Sequence, residues 1–384
     1  MTNHFSLGIS KATKLTKAGK LVEATALIQS LLSKAHPKPG SLPEETAVEG
    51  SFTRLADDTS ALPAPTPTPS APKRPRASLR ETLRSIAAGG MPDRKPLGRT
   101  SAVPSGAEFI TMTHVNRHGQ RDWKLYIPAK RSSAPMPLIV MLHGCTQSPD
   151  DFATGTGMNA LAEQHGFLVA YPAQSMGANS SKCWNWFKSE DQGRDRGEPA
   201  VIAGIVRDIL RDHPVDPARV YIAGLSAGGA AAAIMAEAYP ELFSAVGVHS
   251  GLPVGAASDI PQAFSAMRNG ADGTRLARAV PTIVIHGLAD ATVHPRNGVA
   301  VVDQVLQAFG GLQETTRKGI SSGGRPFRQT SHANIDGRSV VEHWQIDGAG
   351  HAWAGGAPEG SFTDPTGPKA SDEMVRFFLQ HARK

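Results

Sequence analysis

Ser226, Asp290 and His351 supply, in that order along the chain, the three groups that nucleophilic acyl transfer requires. A serine hydroxyl at its free pKa is a poor nucleophile and needs an oriented base, which a carboxylate must in turn hold. Ser226 sits in Gly224-Leu225-Ser226-Ala227-Gly228, after the apolar run 220–223 and before the alanine-rich stretch 230–239. That reads as strand, sharp turn and helix, the local structure in which a serine is forced into a strained, exposed conformation and only small neighbours fit. The five-residue string alone also occurs in turns without chemistry; its context favours a nucleophile. The helix that follows directs its positive end at the site, where negative charge develops.

Asp290 lies 64 residues after Ser226, and His351 a further 61. Each follows an apolar run, 282–285 and 340–345, and so falls in a loop at a predicted strand end. Glycines around His351 let the imidazole project into a cleft. Asp347 is the rival acid, but it is only four residues from His351 and precedes the turn. Of the other histidines, His286, His294 and His343 read as structural or supporting. A tetrahedral intermediate also needs donors for its oxyanion. The run 138–142 ends in His143-Gly144-Cys145, and the backbone N–H groups of Cys145 and Ala227 are assigned that task. Cys145 as a nucleophile competes with this reading, yet Ser226 has the better setting. Trp184 and Trp186, in a tryptophan-rich segment, and Trp353, two residues past the base, are expected to line a substrate subsite. Ordinary aromatic packing is the alternative. No phosphate-binding glycine loop or metal-ligand cluster is seen, so neither cofactor nor metal is expected.

The elements that must position these groups are short apolar runs alternating with helical segments. The runs 109–115 and 123–127 flank a turn at His118-Gly119 and predict a hairpin. Further strands are predicted at 138–142, 167–171, 220–223, 245–248, 282–285 and 340–345. Continuous apolar strands alternating with helices indicate an α/β fold with a mostly parallel central sheet and helices on both faces. The preceding segment differs. Residues 1–100 carry 15 Lys and Arg against 8 Asp and Glu, whereas the remainder holds 25 against 26. The basic character thus belongs to the first hundred residues. Residues 8–33 read as helix, 61–76 as a proline-rich linker, and 78–88 as one more helix capped by Ser78. Three regions follow: 1–60, a basic helical N-terminal extension; 61–105, linker and short helix; 106–384, the catalytic domain.

Nothing in the chain has the spacing of a zinc finger or RNP motif, so nucleic acid is not an expected partner. No apolar stretch reaches eighteen residues, so no membrane-spanning helix is expected. The N-terminus lacks the pattern of a secretory signal, which predicts a cytoplasmic protein. The two cysteines, Cys145 and Cys183, are 38 residues apart and would be either one bridge or two thiols.

The stretch from about 107 to 380 resembles the poly(3-hydroxybutyrate) depolymerase-like esterase family. The resemblance is carried by the segments beginning at Leu142, Cys183, Asp216, Tyr239, His286, Gly350 and Ser361. It implies an α/β-hydrolase fold, a Ser226–Asp290–His351 triad, and a Cys145–Cys183 disulfide beside the oxyanion loop. It further implies an ester or polyester substrate, hydroxyalkanoate polymers or oligomers first, with feruloyl and acetyl-xylan esters as alternatives. Extracellular location is common in that family and stands against the cytoplasmic expectation. Peptide hydrolysis by the same triad is disfavoured by the esterase-like motifs. A reading of a different class makes residues 1–100 a granule- or surface-binding module, a possible contact with a polymer granule.

Overall fold

The computed structural model describes residues 103–131 and 133–383. The expected helices at 8–33 and 78–88, the linker at 61–76 and the granule contact of residues 1–100 lie outside the described residues. The described residues fall within one compact unit.

The predicted hairpin is present as β1 (Glu108–Asn116) and β2 (Gly119–Ile127), antiparallel in continuous register from Glu108↔Ile127 to Asn116↔Gly119. The six apolar runs become β3 (Met136–Leu142), β4 (Leu168–Pro172), β5 (Val215–Leu225), β6 (Ala245–His249), β7 (Thr282–Gly287) and, later in the chain, β10 (Ser339–Ile346). Between β7 and β10 stand β8 (Gln313–Ile320) and β9 (Pro326–Ala333), which the apolar pattern did not announce. All ten form one sheet in the order β1-β2-β4-β3-β5-β6-β7-β10-β9-β8. The six central strands are mutually parallel, and antiparallel pairs close both sides.

Every residue of β3 is buried, as a strand covered on both faces requires. Its side chains divide with period two. Leu138, Val140 and Leu142 enter one apolar cluster, and Ile139 and Met141 the other. The first cluster is completed by α3 (Gly197–Asp212), α4 (Ala227–Ala238), α5 (Ile260–Asn269) and α6 (Arg296–Leu306). The second uses α1 (Pro149–Thr156), α2 (Met158–His165) and α7 (Ala370–Leu379). Local signals fix where these helices start. Ser148 caps α1 by accepting the Asp151 N–H, with Pro149 in the first turn; Asp259 caps α5 by accepting the Gln262 N–H. Helix α4 begins at Ala227, three residues before the alanine run suggested, because the chain enters the helix directly out of the turn at Ser226. A two-strand ribbon, β11 (Trp353–Ala354) with β12 (Thr363–Asp364), follows His351. This is the α/β-hydrolase architecture, with Ser226 after β5, Asp290 after β7 and His351 after β10.

Candidate active site

Ser226 has φ 59° and ψ −118°, a region in which a non-glycine residue is held only by its surroundings. Those surroundings leave no room at either flanking glycine. A Cβ on Gly224 would lie 2.3 Å from the Gly228 carbonyl carbon, and one on Gly228 would lie 2.0 Å from the Leu142 carbonyl oxygen. The spacing of the two glycines is therefore a packing requirement: the turn is pressed against the end of β3, which leads into the Cys145 loop. The Ser226 N–H donates to the His249 carbonyl at 2.9 Å, tying the turn to β6 as well.

His351 and Asp290 meet as expected. Nδ1 of His351 lies 2.7 Å from Oδ2 of Asp290, whose side chain is fully buried. Oδ1 accepts the N–H groups of Thr292 at 2.9 Å and Val293 at 2.8 Å. Burial opposes ionisation of Asp290, but hydrogen bonds from His286 and His351 and the proximity of both imidazoles outweigh it. The carboxyl is held well below the usual carboxylate range. An ionised carboxylate only accepts, so Nδ1 of His351 carries the proton and Nε2 is the basic nitrogen. Nε2 of His286 lies between two acceptors, 2.9 Å from the Val293 carbonyl and 3.5 Å from Asp290 Oδ2. Asp347 is exposed and does not pair with His351, so the rival acid is set aside. Among the described residues neither Oγ of Ser226 nor Nε2 of His351 has a hydrogen-bond partner.

The loop after β3 distinguishes its N–H groups. Gly144 donates to Oε1 of Gln147 at 2.8 Å, Thr146 to the Ser181 carbonyl at 2.7 Å, and Gln147 to the Gly144 carbonyl at 3.4 Å. The N–H of Cys145 donates to no acceptor among the described residues, and neither does that of Ala227, the first residue of α4. Gln147 is anchored in turn through Nε2 to Asp151 and Ser361. Cys145 and Cys183 are disulfide-bonded, joining this loop to the segment that carries the tryptophans. His143 underlies the loop with a defined tautomer. Nδ1–H faces the Gly144 carbonyl, Nε2 accepts the Gln174 N–H, and burial pushes the imidazole down to about 4.

The tryptophans require correction. Trp184 is 0 % exposed, and its Nε1 donates to the His143 carbonyl at 3.1 Å. Trp353 is 1 % exposed, donates to Oγ of Ser371 and packs edge-on to Phe152. Trp186 is also buried, against Phe187. None of the three rings is exposed. They shape the loops from within, because a large apolar ring whose N–H is satisfied is most stable out of water.

One residue was missed. His249, at the end of β6, receives the Ser226 N–H on its carbonyl, while Nε2 of its ring accepts the Ala354 N–H at 3.0 Å. The ring stacks on Trp353 at 4.9 Å, and Nδ1 faces Oγ of Ser250. Burial, reinforced by His286 and His351, pushes it down to about 3, so it is neutral. It thus joins the Ser226 turn to the segment that follows His351. The criterion that found Asp290 and His351, a polar residue beyond an apolar run, also reaches His249, which directly follows the run 245–248.

The chain is similar to known proteins in sequence and in fold. Residues 121–323 match the family described as Esterase PHB depolymerase. Poly(3-hydroxyalkanoate) depolymerase C of Paucimonas lemoignei is 35 % identical over 265 residues, covering 64 % of this chain and 63 % of that protein. The chain therefore spans somewhat less than two thirds of that relative. Feruloyl esterase B of Neurospora crassa is 31 % identical over 208 residues, covering 48 % of this chain and 69 % of the relative. Among solved structures, an acetyl xylan esterase from Aspergillus awamori superposes with a TM-score of 0.55 at 21 % identity, over 71 % of this chain and 98 % of that one, a likeness of fold. With more than half of its length matched by the family's pattern, the chain belongs to the PHB depolymerase esterase family.

Proposed function

We propose that the protein is a serine hydrolase of carboxylic esters, with hydroxyalkanoate oligomers or polyesters as its substrates. The observation that carries this reading is the pair of unpartnered N–H groups, Cys145 and Ala227, flanking a strained Ser226, with an Asp290-held imidazole at the next strand ends. Ser226 Oγ attacks the ester carbonyl and Nε2 of His351 takes its proton. The imidazolium is stabilised by the Asp290 carboxylate, and the two N–H groups stabilise the oxyanion. The C–O bond to the alcohol breaks as His351 returns the proton to the leaving oxygen. Water, deprotonated by the same nitrogen, then releases the acid from Ser226. The dipole of α4 supports the negative charge at its N-terminus.

With the tryptophans buried, exposed apolar side chains on the neighbouring loops take over the substrate-contact role: Leu288, two residues before Asp290, and Phe362, whose carbonyl accepts the Trp353 N–H. Ser226→Ala should lower kcat on p-nitrophenyl butyrate by on the order of 10⁴-fold or more; wild-type turnover by that variant overturns the reading. Comparison of hydroxybutyrate oligomers with feruloyl and acetyl-xylan esters tests the substrate class, which rests on the depolymerase relative. The Cys145–Cys183 bridge favours an oxidising compartment over the cytoplasm. Thiol labelling of freshly extracted protein tests this, and two reactive thiols would return the protein to a reducing compartment.

A further inference from the structure

The opposite end of the sheet carries a cluster that ester hydrolysis does not use. An open cavity of about 190 Å³ is lined there by Ser244, Pro281 and Val340, at the amino ends of β6, β7 and β10. Three arginines line it too: Arg278, four residues before β7; Arg338, immediately before β10; and Arg383, beyond α7. None of the three guanidinium groups is in an ion pair among the described residues. Glu237 lines the adjoining apolar cavity together with Arg278 but is not paired with it. Arg383 donates from Nη2 to the Pro217 carbonyl at 2.8 Å, whereas its Nη1 is buried and has no acceptor.

A single exposed arginine is ordinarily just solvated, and Arg278 and Arg338 are exposed. Their convergence with Arg383 is a different matter. Three like charges around one recess repel one another. An anion with several oxygens relieves that repulsion, and the guanidinium fork of the exposed Arg278 and Arg338 matches phosphate bidentately. We propose that this recess binds a phosphate or diphosphate group. Strand β7, of six residues at about 3.3 Å each, separates it from the Asp290 loop by on the order of 20 Å, so it does not compete for the ester site.

The test uses the full chain in chloride buffer at constant ionic strength, titrated with inorganic phosphate and with pyrophosphate. Equilibrium dialysis should find one saturable site, the melting temperature should rise with ligand concentration, and the KM for p-nitrophenyl butyrate should not change. Arg278→Glu and Arg338→Glu, at exposed positions, should each weaken binding at least about tenfold while leaving ester turnover intact. Vesicles containing phosphatidic acid distinguish the sources: capture of vesicles without binding of free phosphate assigns the group to a lipid headgroup. The proposal is overturned if no probe binds saturably, if the Arg278→Glu/Arg338→Glu double variant binds like wild type, or if acetate binds as tightly as phosphate.

Discussion

Replacing His249 by Phe separates two jobs that one side chain performs. Phenylalanine keeps an aromatic face for Trp353 and leaves the main-chain carbonyl in place to receive the Ser226 N–H. It removes the Nε2 acceptor, so the buried Ala354 N–H loses its partner. An unsatisfied buried donor costs roughly 1–3 kcal/mol, and each kcal/mol lowers Tm by about 2–4 °C at this domain size. The catalytic effect should exceed the effect on stability. Ala354 is three residues from His351, and misplacing a catalytic group by about 1 Å costs on the order of 10²-fold in rate. The assay is kcat and KM on p-nitrophenyl butyrate beside Tm for wild type, His249→Phe and His249→Asn. The expected outcome is a kcat loss of about 10²-fold with little change in KM, partly restored by Asn, whose amide oxygen can accept the same N–H. A His249→Phe variant with lowered Tm and wild-type kcat would refute the link, leaving His249 as packing alone.

Acid should destabilise the fold well above the ordinary carboxylate range. Burial holds His143 and His343 to about 4 and His249 to about 3, whereas unfolding lets each take a proton near 6.5. The stability they confer is complete above 6.5 and is lost as pH falls toward the folded values, amounting at pH 5 to roughly 2 kcal/mol per histidine. Asp290, depressed in the native state, loses its contribution in the same direction at lower pH. The urea midpoint should therefore drop markedly between pH 7 and pH 5; an unchanged midpoint contradicts this account. Cys183→Ser should cost about 2–4 kcal/mol of stability, from the 38-residue separation that the bridge closes. Because the bridge anchors Cys145, kcat should fall as well, and a variant with wild-type kcat would show that Trp184 and the Thr146 N–H hold the loop without it.

The positions of the proposed triad were more legible in the chain than the surroundings of the tryptophans. Ser226, Asp290 and His351 each follow an apolar run within a few residues, and that pattern reports sheet position directly, because a strand buried on both faces must be apolar throughout. The same physics hid β8 and β9. Strand β8 is exposed or half-buried along its whole length at the sheet edge, so no core demanded apolar residues of it. The tryptophans misled for a related reason: a large aromatic ring serves a pocket wall and a packed interior equally well, and only the neighbours decide. For Trp184 and Trp353 the deciding neighbours are the His143 carbonyl and Ser371, remote in sequence and invisible to spacing. Gln147 escaped notice likewise, since its anchor, Ser361, is 214 residues away.

The crowding at Gly224 and Gly228 has a consequence for how such a protein can diversify. With Gly228 packed onto the last carbonyl of β3, the serine and the proposed oxyanion donors form a single die-cast part that admits no incremental variation. The loops bearing Leu288 and Phe362 carry no such constraint at those side chains, which stand in solvent. New ester preferences should therefore accumulate on the loops that bear Leu288 and Phe362, while the turn at Ser226 is inherited whole.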